Sequence, residues 1–288
     1  MTFSPDSIRL DGRVTVVTGG GAGIGRGIVG AFRAFGAQVA IWERNADAAA
    51  AVAAEHDALG LCVDVRESAQ VDVALVRTAG ELGTPTILVN NAGGTFRAPL
   101  LDTSEKGWDA LQRSNLHHVM LCTQRIARRL VDEAKSGSII NVTSIEGVRA
   151  APGYAAYAAA KAGVINFTQT AALELASHGI RVNALAPDIT LTEGLAALAS
   201  DGAMRAFDDV VPLGRPGHVD DLGAAAVLLA SAMSSYITGQ TIHVDGGTHA
   251  AGGWYRDTAS GDYVLGPPRP DVAGLDVTGP DAAGPGNP

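Results

Sequence analysis

A doubly wound α/β fold on a parallel sheet is predicted by three observations. Short runs of Val, Ile, Leu and Ala alternate with longer segments of helical pattern, the first such run breaks into glycines and then into a helix, and 47% of the 288 residues are apolar. Alternation of this kind indicates strands covered by helices on both faces. The length suits one well-buried domain, or at most two. The expected strands are 13–18, 37–42, 59–63, 85–89, 137–142, 180–185 and 241–245, with helices between them, giving a parallel seven-stranded sheet. Such a sheet binds its ligand at the carboxyl ends of the strands. Gly19, Glu43, Asp64, Asn91, Ser144 and Pro187 all fall there.

The first element runs from Arg13 to Gly27 and reads as strand, tight turn, helix. Glycines at 19, 23 and 25 let the backbone turn sharply and approach a pyrophosphate, while the helix that follows presents free N–H groups and its positive dipole end. A glycine-rich turn without a ligand is the plainer reading. The strand before it and the amphipathic helix after it favour a nucleotide. The second strand ends in Trp42-Glu43-Arg44. An acidic side chain there accepts hydrogen bonds from ribose hydroxyls and repels a 2′-phosphate, so Glu43 favours NAD. Arg44 beside it can clamp such a phosphate, which keeps NADP open.

Farther along, Tyr157-Ala158-Ala159-Ala160-Lys161 follows Ser144 by thirteen residues. Helical positions i and i+4 share a face, so Lys161 places its ammonium one turn beyond the Tyr157 phenol. A free phenol titrates near pH ~10, and a nearby positive charge brings it toward the operating range of a general acid or base. Ser144 would hold the substrate oxygen. Taken alone, a Tyr and a Lys at this spacing in an Ala-rich helix describe a solvated face more often than a catalytic pair.

Their company is more specific. In order along the chain, Thr18-Gly19-x-x-x-Gly23-Ile24-Gly25, Asn90-Asn91-Ala92-Gly93, Asn115, Ser144, Tyr157-x-x-x-Lys161, Asn183 with Pro187, and Val244-Asp245-Gly246-Gly247 resemble the motifs of the short-chain dehydrogenase/reductase family. The resemblance covers about residues 8 to 248. It implies a single Rossmann-like domain, a three-layer sandwich over residues 1–248, a nicotinamide cofactor, and a catalytic tetrad of Asn115, Ser144, Tyr157 and Lys161. The Asn is expected to support a water that links the Lys to solvent. The cofactor would lie on Gly19, Gly23, Ile24, Gly25, Glu43, Arg44, Asn91, Ala92, Gly93, Tyr157, Lys161 and Pro187. Asp64 and Val65 resemble the family's adenine-contacting pair, although Asp64 can equally cap the next helix. Thr192 matches a threonine that family members place near the carboxamide.

Two positions depart from the family pattern. Asp188 follows Pro187 where a glycine is usual, and Glu146 stands two residues beyond Ser144 where smaller groups are common. Asp188 either tunes the pocket or adopts the backbone shape glycine usually supplies. Two carboxylates near one alcohol suggest a hydroxylated or cationic substrate. The segment 190–211, with its Ala, Leu and Met residues and Phe207, reads as an apolar substrate lid. Residues 249–288 turn rich in Gly, Pro and Asp, with Trp254, Tyr255, Tyr263 and Leu265 in the first half only. Such a stretch does not order itself alone. Its aromatic half is expected to dock on a neighbouring subunit of a homodimer or homotetramer, with Trp254 or Tyr255 able to reach that subunit's reaction site, and the rest reads as a flexible tail.

Composition narrows the partners. No apolar stretch reaches the ~20 residues of a membrane helix, and the start Met1-Thr2-Phe3-Ser4-Pro5 lacks the pattern of an export signal. A soluble cytoplasmic protein is expected. A net charge of −9 argues against nucleic acid. Cys62 and Cys122 show no metal or disulfide spacing and read as buried free thiols.

The leading function is therefore an NAD-dependent oxidoreductase passing hydride between the cofactor and a secondary alcohol or ketone. An NADPH-dependent 3-oxoacyl thioester reductase is the enzymatic alternative. It would need a basic patch for an acidic carrier, and Arg125, Arg128 and Arg129 are the candidates. A non-catalytic nucleotide sensor is the third reading, and it would be expected to lack the Tyr or the Lys.

Overall fold

Each expected apolar run forms a strand: Val14–Thr18 (β1), Gln38–Glu43 (β2), Leu59–Cys62 (β3), Ile87–Asn90 (β4), Gly137–Val142 (β5), Ile180–Pro187 (β6) and Thr241–Val244 (β7). The computed structural model, which describes residues 4–198, 210–256 and 262–265, joins them in one sheet of order β3-β2-β1-β4-β5-β6-β7. All six pairings are parallel. The order reverses between β1 and β4, and a crevice opens there at the carboxyl edge.

Helices cover both faces. They are Gly23–Ala34 (α1), Ala46–His56 (α2), Ser68–Glu81 (α3), Glu105–Gln112 (α4), His118–Asp132 (α5), Ala155–Ala176 (α6), Glu193–Leu198 (α7), Val219–Ala230 (α8) and Thr248–Ala251 (α9). Successive strand residues point to opposite faces, and the core divides accordingly. Val16, Leu88 and Ile139 pack with Val71, Ile126 and Ala171 of α3, α5 and α6. Val17, Val89 and Ile140 pack with Ile28, Phe32 and Val227 of α1 and α8. Burial on both sides explains why β1, β4 and β5 carry no charged residue and are mostly apolar, every residue in them being buried.

Local chemistry sets several boundaries. Asn45 caps α2, its side chain accepting from the amides of Asp47 and Ala48 at 3.1 Å each. The Ala-rich sequence of α6 favours a helix, and Ala156, Ala160, Val164, Thr168 and Ala171 form its buried stripe. Lys161 lies on that same buried side. Between α4 and α5, Arg113–His117 form a π-helical turn, the irregularity that most often marks a functional position.

Two expectations change, and a third falls largely outside the described residues. Cys122 is buried, but Cys62 is exposed. It ends the edge strand β3 on the outward side of the pleat, where its thiol meets the Arg44 carbonyl at 3.4 Å. The C-terminal segment has more order than its composition predicts: Trp254–Arg256 (β8) and Tyr263–Leu265 (β9) pair as an antiparallel hairpin, in which backbone hydrogen bonds replace the apolar burial the segment lacks. Trp254 and Tyr263 remain about half exposed. Of the expected lid, 199–209 lies outside the described residues, Phe207 included; the start of the segment is α7. Among the described residues no helix is long and apolar enough to cross a membrane.

Trp42 is fully buried and donates its indole N–H to the Thr78 hydroxyl at 3.1 Å. Replacing Thr78 with the isosteric Val strands that donor in the core. Thr78→Val is expected to lose about 1–3 kcal/mol of stability, read from the shift of the urea midpoint at constant slope.

Candidate active site

The carboxyl ends of β1 and β4 are fastened to each other. The Thr18 hydroxyl accepts from the amides of Asn91 and Ala92 at 3.0 Å each. The Asn91 side chain donates back to the carbonyls of Thr18 and Gly19 at 3.1 and 3.0 Å. This tie fixes the start of the glycine loop. Gly19 has φ +63°, and a Cβ on it would lie 2.8 Å from the Ala92 Cα. A Cβ on Gly25 would overlap the Gly19 carbonyl oxygen, so the loop closes only with glycine at both positions. Ile24 between them packs against the core beneath α1.

The N-terminus of α1 has no side-chain cap from its own N-cap residue, Ala22. The Glu193 carboxylate reaches it instead, accepting from the Gly23 amide at 3.1 Å and standing 3.7 Å from Arg26. An anion already occupies the end where the helix dipole favours one. Thr192 faces the same loop, its methyl 3.2 Å from where a Gly23 Cβ would be, while its hydroxyl accepts from the Leu195 amide. Glu43 is half-buried at the end of β2, with one carboxylate oxygen accepting from the Asn45 amide at 3.0 Å. Arg44 is exposed, and its guanidinium makes no hydrogen bond or ion pair among the described residues. Asp64, after β3, is held by Arg66 through two parallel contacts, of 2.8 and 2.5 Å, which lowers its pKa. Val65 is buried beside it.

On the other side of the crevice stand the tetrad residues. Asn115 sits fully buried in the π-helical turn. Its amide donates to the carbonyls of Gly94 and Leu111 at 2.9 and 3.0 Å, and its oxygen accepts from the Gly94 amide. A Cβ on Gly93 would come within 2.8 Å of that oxygen. Ser144 ends the loop after β5, its hydroxyl accepting from the Glu146 amide at 3.2 Å, and stands near enough to the Tyr157 phenol to lower its pKa. The Lys161 ammonium donates to the Val142 carbonyl at 2.9 Å and lies 5.6 Å from the centre of the Tyr157 ring. Tyr157 and Lys161 stand one turn apart on α6, as their spacing predicts.

The expected acidification of Tyr157 by Lys161 is not present in the protein alone. Burial raises the phenol pKa, the Ser144 side chain lowers it, and the Glu146 charge raises it again. Burial also brings Lys161 down to about 8. Desolvation penalises both charged forms and outweighs their mutual attraction.

Several residues escaped the sequence. His118, one turn beyond Asn115, is fully buried, and neither ring nitrogen has a hydrogen-bond partner. Burial first, and the Lys161 charge second, hold its pKa at about 3, so the ring stays neutral. Arg149 changes the reading of Glu146 and Asp188. Its Nη2 donates to Glu146 at 2.9 Å and to Asp188 at 3.1 Å, so the two carboxylates do not await a cation: they already hold one. Asp188 also accepts from the Thr248 hydroxyl at 2.7 Å. Pro187 ends β6 just before it, paired in register with Val244.

A glycine loop at a switch point, a helix end that takes an anion, and buried Ser144, Lys161 and Asn115 about the half-buried Tyr157 define a nicotinamide-dependent oxidoreductase of the Rossmann class. A family model described as Enoyl-(Acyl carrier protein) reductase matches residues 19–249, and the chain belongs to the short-chain dehydrogenase/reductase family. The 3-oxoacyl-[acyl-carrier-protein] reductase of Chlamydia muridarum is 39% identical over 247 residues, 83% of this chain and 98% of that protein. The sorbitol dehydrogenase of Cereibacter sphaeroides is 36% identical over 252 residues, again 83% and 98%. A 7α-hydroxysteroid dehydrogenase solved with NADH and 7-oxo glycochenodeoxycholic acid superposes with a TM-score of 0.82 at 30% identity, covering 85% of this chain and 98% of that one. The protein transfers hydride between a nicotinamide cofactor and an alcohol or carbonyl group.

Two outcomes follow from the electrostatics. The Lys161 pKa is lower in the folded protein than in the unfolded chain, so between about 8 and 10.5 the unfolded chain binds more protons and stability rises with pH. Lys161→Met is expected to stabilise the protein by about 1–3 kcal/mol at pH 7, with the gain over wild type shrinking as pH climbs through that window, measured by urea unfolding. A dinucleotide's pyrophosphate calls on the helix end that Glu193 holds. Glu193→Ala is expected to tighten NAD binding about two- to fivefold at low salt, and titration calorimetry giving equal affinities would refute this competition.

Proposed function

We propose that the protein is an NAD-dependent dehydrogenase of secondary alcohols, with Asn115, Ser144, Tyr157 and Lys161 as its catalytic residues. The observation that carries the reading is the buried Lys161 ammonium 5.6 Å from the centre of the Tyr157 ring, with Ser144 near enough to that phenol to lower its pKa. The nicotinamide cofactor supplies the hydride acceptor. Ser144 donates to the substrate oxygen, and the Tyr157 phenolate takes the hydroxyl proton as the carbonyl forms. Lys161 holds the cofactor ribose and offsets the phenolate charge, and Asn115 anchors the turn that carries the proton path toward solvent. Reduction is the same path reversed.

The residues present suit a dinucleotide: glycines where any Cβ would clash, and a helix N-terminus without its own cap. Gly19, Gly23, Ile24, Gly25, Asn91, Ala92 and Gly93 form the cradle, Asp64 and Val65 take the adenine, and Thr192 and Pro187 flank the nicotinamide end. The Glu43 oxygen not bonded to Asn45 accepts from the ribose hydroxyls, which favours NAD. The exposed, unpaired Arg44 supports NADP as the second reading, in the company of a 3-oxoacyl thioester substrate like that named for the Chlamydia relative. Against that reading, Arg125 is paired with Asp72 and Arg129 with Glu133, so little of the basic patch remains for an acidic carrier. A cytoplasmic homodimer or homotetramer, with the half-exposed Trp254 and Tyr263 seated on a neighbouring subunit, accords with this function.

Nicotinamide absorbance with NAD⁺ or NADP⁺ and a panel of polyols, hydroxysteroids and 3-hydroxyacyl thioesters tests the proposal. Turnover with NAD⁺, lost by at least about a thousandfold in Tyr157→Phe while cofactor binding persists, is the expected result. Turnover confined to thioesters with NADP⁺ would replace it with the reductase.

A further inference from the structure

Arg149 joins three parts of the site. Its Nη2 holds Glu146, in the turn that follows Ser144, and Asp188, directly after β6. Asp188 is nearly enclosed, with 8% of its side chain exposed, and Thr248 of α9 secures its second oxygen. Glu146 is 24% exposed and Arg149 40%, so the bridge runs from a buried anchor to an accessible end. The group carries two negative charges and one positive. The second Glu146 oxygen, and Nε and Nη1 of Arg149, have no hydrogen-bond partner among the described residues, although every other contact of the bridge is satisfied.

An ionic acceptor and an ionic donor thus stand side by side with open valences, a few residues from Ser144. A hydroxyl group both donates and accepts and satisfies the two at once. A carboxylate or phosphate only accepts. It would meet an arginine already neutralised, with a net negative charge around it. A bare methylene would displace water and leave the free Glu146 oxygen and the free Arg149 N–H groups without a partner. Glu146 is close enough to the reaction centre for its charge to act on the Tyr157 phenol.

We propose that the Glu146–Arg149–Asp188 bridge is a specificity element that reads a second, uncharged hydroxyl of the substrate, making the preferred alcohol a neutral polyhydroxylated one. The inference rests on the dehydrogenase reading above. It is tested with the full chain by measuring kcat and KM for butane-2,3-diol, butan-2-ol and 3-hydroxybutyrate, in wild type, Arg149→Met and Glu146→Gln. The diol is expected to exceed butan-2-ol in kcat/KM by about tenfold or more, with 3-hydroxybutyrate below both. Each substitution is expected to remove most of that advantage through KM for the diol. Glu146→Gln should also move the rising limb of the pH profile for oxidation to lower pH, since a negative charge near the phenol has gone. A merely structural bridge gives a different result: all substrates fall by one common factor, and that outcome overturns the proposal. Equal efficiency with diol and butan-2-ol in wild type overturns it too, while leaving the dehydrogenase intact. Turnover of none of the three overturns this proposal, and the dehydrogenase reading then stands or falls on the wider panel of alcohols.

Discussion

The site depends on the knot between β1 and β4. Two parallel strands whose connections leave in opposite directions have no loop in common at their carboxyl ends, and only side chains can hold the crevice to one width. Thr18 and Asn91 do so with four hydrogen bonds. Gly19 is thereby pressed against Ala92, which starts the glycine loop, and the following Gly93-Gly94 backbone receives Asn115. The glycine loop and Asn115 are therefore positioned by the same short stretch, Asn91 to Gly94. Behind it, Asn90 reaches the Thr123 hydroxyl and Asn141, and Asn141 reaches Thr168, a polar chain through the core that holds β4, β5, α5 and α6 in fixed relation.

The second organising feature is a charge placed where the fold gains nothing from it. The buried stripe of α6 would be complete with Ala and Val, yet Lys161 interrupts it at 4% exposure with one carbonyl for company. Burial works against both Lys161 and Tyr157 in the protein alone. A site whose acid and base are strained in isolation is completed by what binds to it, which is the usual relation between stability and function at a reaction centre.

Much of this was legible in the sequence, for identifiable reasons. Strands buried on both faces are mostly apolar and uncharged, so β5 is bounded in the structure as its sequence pattern predicts, at residues 137–142. The Tyr157–Lys161 relation is local, one helical turn, and helix geometry supplies it. What escaped was set by tertiary contact. Arg149 lies 39 residues from Asp188, and Thr248 lies 60 from it; no periodicity joins such positions, and an arginine in a loop reads as solvated. Glu193 meets Gly23 across 170 residues. His118 falls on an apolar helix face where its burial was foreseeable, but its lack of partners was not. Cys62 was misjudged because a strand at the sheet edge has an outer side, and edge position is a property of topology rather than of the strand's own residues.

The Asp188–Thr248 hydrogen bond carries a consequence for the molecule as an assembly. Thr248 opens α9, which leads into the C-terminal extension, and Asp188 holds Arg149 with its other oxygen. Seating or lifting α9 therefore re-aims a guanidinium beside the reaction centre, with one carboxylate as the lever. Under the proposed reading of the bridge, whatever docks against the extension shares a mechanical linkage with substrate choice, and the two properties would not be free to drift apart: a change in the tail's contacts would alter which alcohols are handled well.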